Sequence, residues 1–93
     1  MNNNETTFFF SNFPNNFEEY DMWKIFQRWG RLKEVFISRG LDRKGRRFGF
    51  IRLWNVKHKG QLESELDAIR IGNIKMQVNI ARFSKEKEKS TQA

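Results

Sequence analysis

The stretch Arg46-Arg47-Phe48-Gly49-Phe50-Ile51-Arg52-Leu53 constrains this chain more than any other. As a β-strand its side chains alternate, so Arg46, Phe48, Phe50 and Arg52 share one side while Ile51 and Leu53 take the other. A core-facing side would not accept the arginines, and a merely solvated side would not collect the rings. The strand therefore needs a core behind it and, in front, a ligand that engages rings and cations together.

The rest of the chain supplies partners for such a strand. Residues 7–11, Thr-Phe-Phe-Phe-Ser, form a short apolar run bounded by Asn12 and Pro14 and predict a first strand. Met22, Ile25, Phe26 and Trp29 recur at i, i+3, i+4 and i+7, which predicts a buried helical stripe over 19–29 that stops at Gly30. Residues 32–38 read as a second strand with Val35 and Ile37 inward and Glu34, Phe36 and Ser38 outward. Residues 39–45 then form a turn-rich, cationic hairpin loop. Asn55 is placed to cap a second helix reaching about Leu66, with Leu62 and Leu66 one turn apart and Gly60 weakening it. Residues 76–81 alternate as a last strand. The order is βαββαβ. Residues 1–5 and 84–93 lack the apolar content to stay ordered and are expected to be tails around a domain at 6–83.

Charge narrows the class of partner. Residues 1–30 carry two basic and four acidic side chains, residues 31–60 ten basic and two acidic, within a total of +7. A positive field concentrated in one third of the chain calls for a polyanion. An anionic membrane would want a basic amphipathic helix, but Gly40 and Gly45 break this region into loop and strand, so nucleic acid is expected and membrane is not. Ninety-three residues allow one small domain that buries roughly 60–65% of its unfolded surface. With no cysteine there is no disulfide and no thiolate metal site. The polar start and the lack of a long apolar run make a soluble, intracellular chain the expectation, either nuclear or nucleocytoplasmic.

These residues resemble the RNA recognition motif (RRM), or ribonucleoprotein domain, family. That family's octapeptide runs basic, Gly, aromatic, Gly/Ala, aromatic, aliphatic, any, aromatic, and residues 46–53 are similar to it at the first and the third to sixth places. Its hexapeptide resembles Phe8-Phe9-Phe10-Ser11-Asn12-Phe13, with Phe9 in the aromatic place and Asn12 in the asparagine place. Arg47 replaces the octapeptide glycine and adds charge at a turn, and Leu53 replaces the final aromatic. A narrower resemblance links residues 22–39 and the octapeptide to RRMs of plant proteins, those similar to splicing factors and those in RNA-binding proteins of non-LTR retrotransposons. It would imply a longer parent protein with further domains.

The resemblance implies an α+β, ferredoxin-like sandwich: a four-stranded antiparallel sheet with the first and third strands central and two helices packed on one face. Phe9, Phe48 and Phe50 would then be neighbours on the open face, where each base stacked on a ring contributes about 1–3 kcal/mol whatever its identity. Single-stranded RNA is the expected ligand, because its bases can be splayed onto a sheet while a duplex hides them. Phe36 shares that face and could pack on a base or only cover the sheet. Gln77 and Asn79 could read base edges, though exposed polar strand residues are common. Arg39, Arg43, Lys44, Arg46 and Arg47 around the loop suit phosphates, with a solvated loop or a nuclear-import signal as the plainer reading, and Arg52 lies beside the rings. Arg82 and Phe83 follow the last strand, where a chain end can fold over bound RNA.

Catalysis finds no support in the residues. His58, the sole histidine, lies among lysines, and Gly40-Leu41-Asp42-Arg43-Lys44-Gly45 is followed by arginines instead of the Lys and Ser/Thr of a phosphate-binding loop. Glu18, Glu19, Asp21, Glu63, Glu65 and Asp67 are expected on helix surfaces turned away from the sheet. The expectation is a monomeric, non-catalytic module without metal, cofactor or small-molecule substrate. Two rivals share the fold: a protein-interaction module using Glu18, Glu19 and Asp21, and an enzyme of the acylphosphatase type.

Overall fold

The structure is a computed structural model that describes residues 4–81. Along the chain lie β1 (Glu5–Ser11), α1 (Glu19–Phe26) continuing into a 3-10 turn (Gln27–Trp29), β2 (Leu32–Leu41), β3 (Arg47–Trp54), α2 (Lys59–Asp67), β4 (Arg70–Ile71), β5 (Ile74–Lys75) and β6 (Gln77–Ile80). A four-stranded antiparallel sheet runs β2-β3-β1-β6, and β4 and β5 form a separate small hairpin. The expected α+β sandwich, with the first and third strands central, is the fold.

Alternation decides which side of the sheet is core. Thr6, Phe8 and Phe10 of β1 and Gly49, Ile51 and Leu53 of β3 are buried, and Met22 and Phe26 of α1 and Leu66 of α2 pack onto them with Ile37, Met76 and Val78. The Phe10 ring lies 5.1 Å from that of Phe13 and 5.2 Å from that of Phe26, centroid to centroid, joining the turn after β1 to the first helix. Within the helical stripe Met22 and Phe26 are fully buried, whereas Ile25 and Trp29 are only half-buried. They line a groove of about 780 Å³ between the helices and β4, with Phe17, Ile69 and Ile71.

Three features differ from the sequence expectation. Asn55 does not cap α2. Its φ is 53°, its N–H donates to the Asn4 carbonyl at 2.7 Å and its side-chain oxygen accepts from Asn4 Nδ2 at 3.2 Å, so it closes the end of β3 against the start of β1. The helix starts four residues later, at Lys59. Next, Arg70–Lys75 folds as a hairpin around Gly72, whose φ of 63° suits the turn.

The third difference concerns the helix carboxylates, several of which turn toward the sheet. Glu19 Oε2 accepts from the Ile37 N–H of β2 at 3.1 Å, Glu63 Oε2 from Ile80 N–H of β6 at 2.8 Å and Asp67 Oδ1 from Val78 N–H at 2.8 Å. Each of these amides lies on an outer strand and points away from the neighbouring one, where an unpaired N–H would be costly. One outward amide of β2 and two of β6 are thus capped from the helices behind the sheet. Asp21 is used within its own helix, accepting from the Glu18 N–H at 2.8 Å.

Candidate nucleic-acid interface

Strand register assembles the open face in rows. Phe36 of β2 stands opposite Phe50 of β3, Phe50 opposite Phe9 of β1, and Phe9 opposite Asn79 of β6, so one row crosses the whole sheet. The Phe36 and Phe50 rings are stacked at 5.0 Å with 29° between their planes, and Phe9 meets Phe50 edge-on at 6.1 Å and 75°. Phe36 is the most exposed of them, at 42%. The next row runs Phe48, Ser11, Gln77. Between these rows a cleft of about 500 Å³ is lined by Phe9, Ser11, Asp42, Arg43, Phe48, Gln77 and Asn79. Six of the residues expected at the site (Phe9, Phe36, Phe48, Phe50, Gln77 and Asn79) therefore share one continuous surface.

Gly49 makes this row possible. Placed between two ring-bearing residues, it presents no side chain to the opposite face, where the Phe36 carbonyl oxygen lies 2.1 Å from the position a Cβ would occupy. Asn12 fixes the other end of β1, donating from Nδ2 to the Lys75 carbonyl at 2.8 Å with φ at 65°. That bond ties the small hairpin to the turn after β1.

The basic residues divide into two groups. At the tip of the β2–β3 hairpin, Asp42 Oδ1 accepts from the N–H groups of Lys44 at 2.9 Å and Arg46 at 2.8 Å, while Gly45, with φ at 78°, donates its N–H to the Asp42 carbonyl at 2.9 Å. The bond from the Arg46 N–H is foremost in holding the Asp42 carboxyl below the usual aspartate range. The turn presents Arg43 and Lys44 outward, and among the described residues neither has an ion pair. Arg46 remains beside Asp42, with Nε 3.6 Å from Oδ2.

Arg47 and Arg52 are engaged within the protein. The Arg47 guanidinium donates to the carbonyls of Asn15 at 2.6 Å and Phe17 at 2.8 Å and lies over the Phe13 ring at 5.1 Å. In place of the family's glycine it pins the β1–α1 loop to the start of β3. Arg52 Nη1 is paired with Glu34 Oε1, and its guanidinium lies 5.1 Å from the Phe50 centroid. The sequence shows Glu34 only as outward-facing, and nothing in it pairs Glu34 with Arg52, because that depends on strand register. Asp42 was readable, since Asp followed three residues later by Gly is a turn signal. Arg82 and Phe83 lie outside the described residues, as do residues 1–3 and 84–93 of the expected tails, whereas Glu5, placed by expectation in the first tail, begins β1. Among the described residues no cluster of His, Cys, Asp or Glu could hold a metal ion, and no helix is long and apolar enough to cross a membrane.

An open antiparallel sheet with a row of rings on one face and two helices on the other defines a small single-sheet binding domain. The family model described as RNA recognition motif matches residues 9–76, and the chain belongs to that family. Among curated proteins it is similar to Paraspeckle component 1 of Danio rerio, 36% identical over 73 residues, which are 78% of this chain and 13% of the relative. The chain thus spans a small fraction of that relative's length. Among solved structures it is similar to the solution structure of an N-terminal RNA binding domain from a hypothetical protein. The TM-score is 0.66 and the identity 21%, over 94% of this chain and 89% of the other. Neither match supports the narrower resemblance to plant splicing-factor-like or retrotransposon proteins.

Proposed function

We propose that this domain binds single-stranded RNA, stacking bases on the row Phe36, Phe50, Phe9 and on Phe48, with Arg43, Lys44 and Arg46 meeting phosphates. The observation that carries the reading is the unbroken aromatic row on the uncovered side of the sheet, ending at the amide of Asn79. A soluble domain has no folding reason to gather rings there, whereas bases offer π-faces to match. Gln77 and Asn79, on the β6 side of the cleft, are the groups placed to read base edges. Family membership supports RNA as the ligand class and a binding role without catalysis. The paraspeckle relative supports a nuclear location.

The test compares the parent with Phe48→Ala and Phe50→Ala in fluorescence anisotropy with labelled single-stranded RNA and with duplex RNA of equal length. Single strands should bind more tightly than duplex. Each substitution should weaken single-strand binding by about 1–3 kcal/mol without changing the salt slope, since a lost stack releases no counterions. Parent-like affinity in a variant with a native amide spectrum, or a preference for duplex, would rule out the aromatic platform.

A further inference from the structure

Beside the aromatic row, at the end of the sheet away from the hairpin, sits a compact cluster of four charges. Glu34 of β2 stands opposite Arg52 of β3 and is paired with it. Arg52 Nε also lies 4.0 Å from Glu5 Oε1, and Glu5 Oε2 is 2.6 Å from Lys33 Nζ. Two acids and two bases sum to zero. The hairpin end instead carries Arg39, Arg43, Lys44 and Arg46 against Asp42 alone. An RNA backbone crossing the sheet therefore meets attraction at one end and a neutralised patch at the other. Yet Arg52 is as close to the rings as any cation on the face, its guanidinium 5.1 Å from the Phe50 centroid. The Arg52 and Glu34 side chains are 35% and 40% exposed, so a ligand can reach both.

We propose that Glu34 competes with RNA phosphate for Arg52, so that the ion pair between them restrains the affinity of the open face and marks where the RNA footprint ends. This inference rests on the single-stranded RNA reading. A half-solvated ion pair is worth little, and a phosphate offers the guanidinium the same bidentate geometry as a carboxylate, so exchange is accessible. While Glu34 holds the arginine, a strand bound on the rings gains nothing from that cation. Removing the Glu34 charge leaves the arginine only the more distant Glu5 carboxylate, at 4.0 Å, and so opens it to a phosphate.

The experiment measures Kd and its salt dependence with a labelled single-stranded RNA for the parent, Glu34→Gln, Arg52→Ala, the double variant and two comparison variants, Glu65→Gln and Phe48→Ala. Glu34→Gln should tighten binding about five- to tenfold and add about 0.7 to the slope of log K against log salt, the increment for one further phosphate contact. In the Arg52→Ala background the same change should alter Kd less than about twofold, as should Glu65→Gln on the helix side in the parent. The proposal is overturned if Glu34→Gln leaves Kd and slope at the parent values. It is equally overturned if the tightening persists without Arg52, because the effect is then general repulsion of RNA. In either case, weakening by Phe48→Ala leaves the underlying RNA reading standing. A parent that does not bind, or a Phe48→Ala variant that binds unchanged, removes that reading and this inference with it.

Discussion

Two glycine-to-alanine changes in this domain should have opposite effects. At Gly49 an added methyl would lie 2.1 Å from the Phe36 carbonyl oxygen, 2.9 Å from Phe10 Cζ and 3.0 Å from Ile37 Cα. Overpacking that side chains can absorb costs about 1–3 kcal/mol. Here the obstructing atoms include the backbone of the adjacent strand, so relief requires β2 and β3 to part, and the cost falls at the upper end, about 3 kcal/mol. In a domain of this size each kcal/mol shifts Tm by about 4–8 °C, which gives a fall of about 12–24 °C. At Gly60, in the first turn of α2, a methyl would meet nothing within 4 Å. Helix propensity then favours alanine by about 0.5 kcal/mol, raising Tm by about 2–4 °C. Thermal unfolding followed by circular dichroism reads both. A Gly49→Ala variant within about 3 °C of the parent would refute the close approach of β2 and β3 on which the Phe36–Phe50 stack depends.

The two groups of arginines should separate in the same way. Arg43→Ala with Lys44→Ala should lower the salt slope of single-stranded RNA binding by about 1.4 and leave urea stability near the parent value. Arg47→Ala should leave the slope intact and cost about 1–3 kcal/mol in urea unfolding, because the charge-assisted bonds that hold the carbonyls of Asn15 and Phe17 are lost; the reverse pattern would mean Arg47 leaves its loop to meet RNA. Asp42, held below its ordinary value by bonds from the Arg46 and Lys44 N–H groups, stabilises the hairpin fully at neutral pH, and that contribution is lost as pH falls through the lowered value. The amide resonances of Lys44 and Arg46 should therefore titrate together at a midpoint below the usual aspartate range and stop titrating in Asp42→Asn, whereas a midpoint at the ordinary value would sever the link to those bonds.

Strong local periodicity made the sheet and first helix legible. Alternation in Thr7–Ser11 and Arg46–Leu53 has only one reading if Phe8, Phe10, Ile51 and Leu53 are to be buried, and the same alternation put Phe9, Phe48 and Phe50 on the open side. Local signals failed where the chain is short or the contact distant. The β4 and β5 strands have two residues each, too few to alternate, although Gly72-Asn73 between Ile71 and Ile74 is a recognisable hairpin turn. Asn55 has the chemistry of a helix cap but pairs with Asn4, a residue distant in the sequence. The opposite destinations of Arg46 and Arg47 follow from alternation once the strand is placed, but which carbonyls receive Arg47 depends on where the β1–α1 loop settles. The contacts of Arg52 with Glu34, and of Glu19, Glu63 and Asp67 with the strand edges, likewise exist only in the assembled fold.

Those edge carboxylates bear on what kind of polymer the sheet can accept. An extended peptide that joins a sheet does so through its main chain, exchanging hydrogen bonds with the outward amides of an outer strand. At Ile37, Val78 and Ile80 those amides are already bonded to helix carboxylates, so an incoming strand would have to displace a carboxylate at each of them. A nucleic acid docking across the front of the sheet, in the proposed mode on rings and amide side chains, makes no such demand, since the rims are left untouched. Capping these amides while leaving the face open biases the domain toward ligands that present flat surfaces and against those that present a backbone to zip.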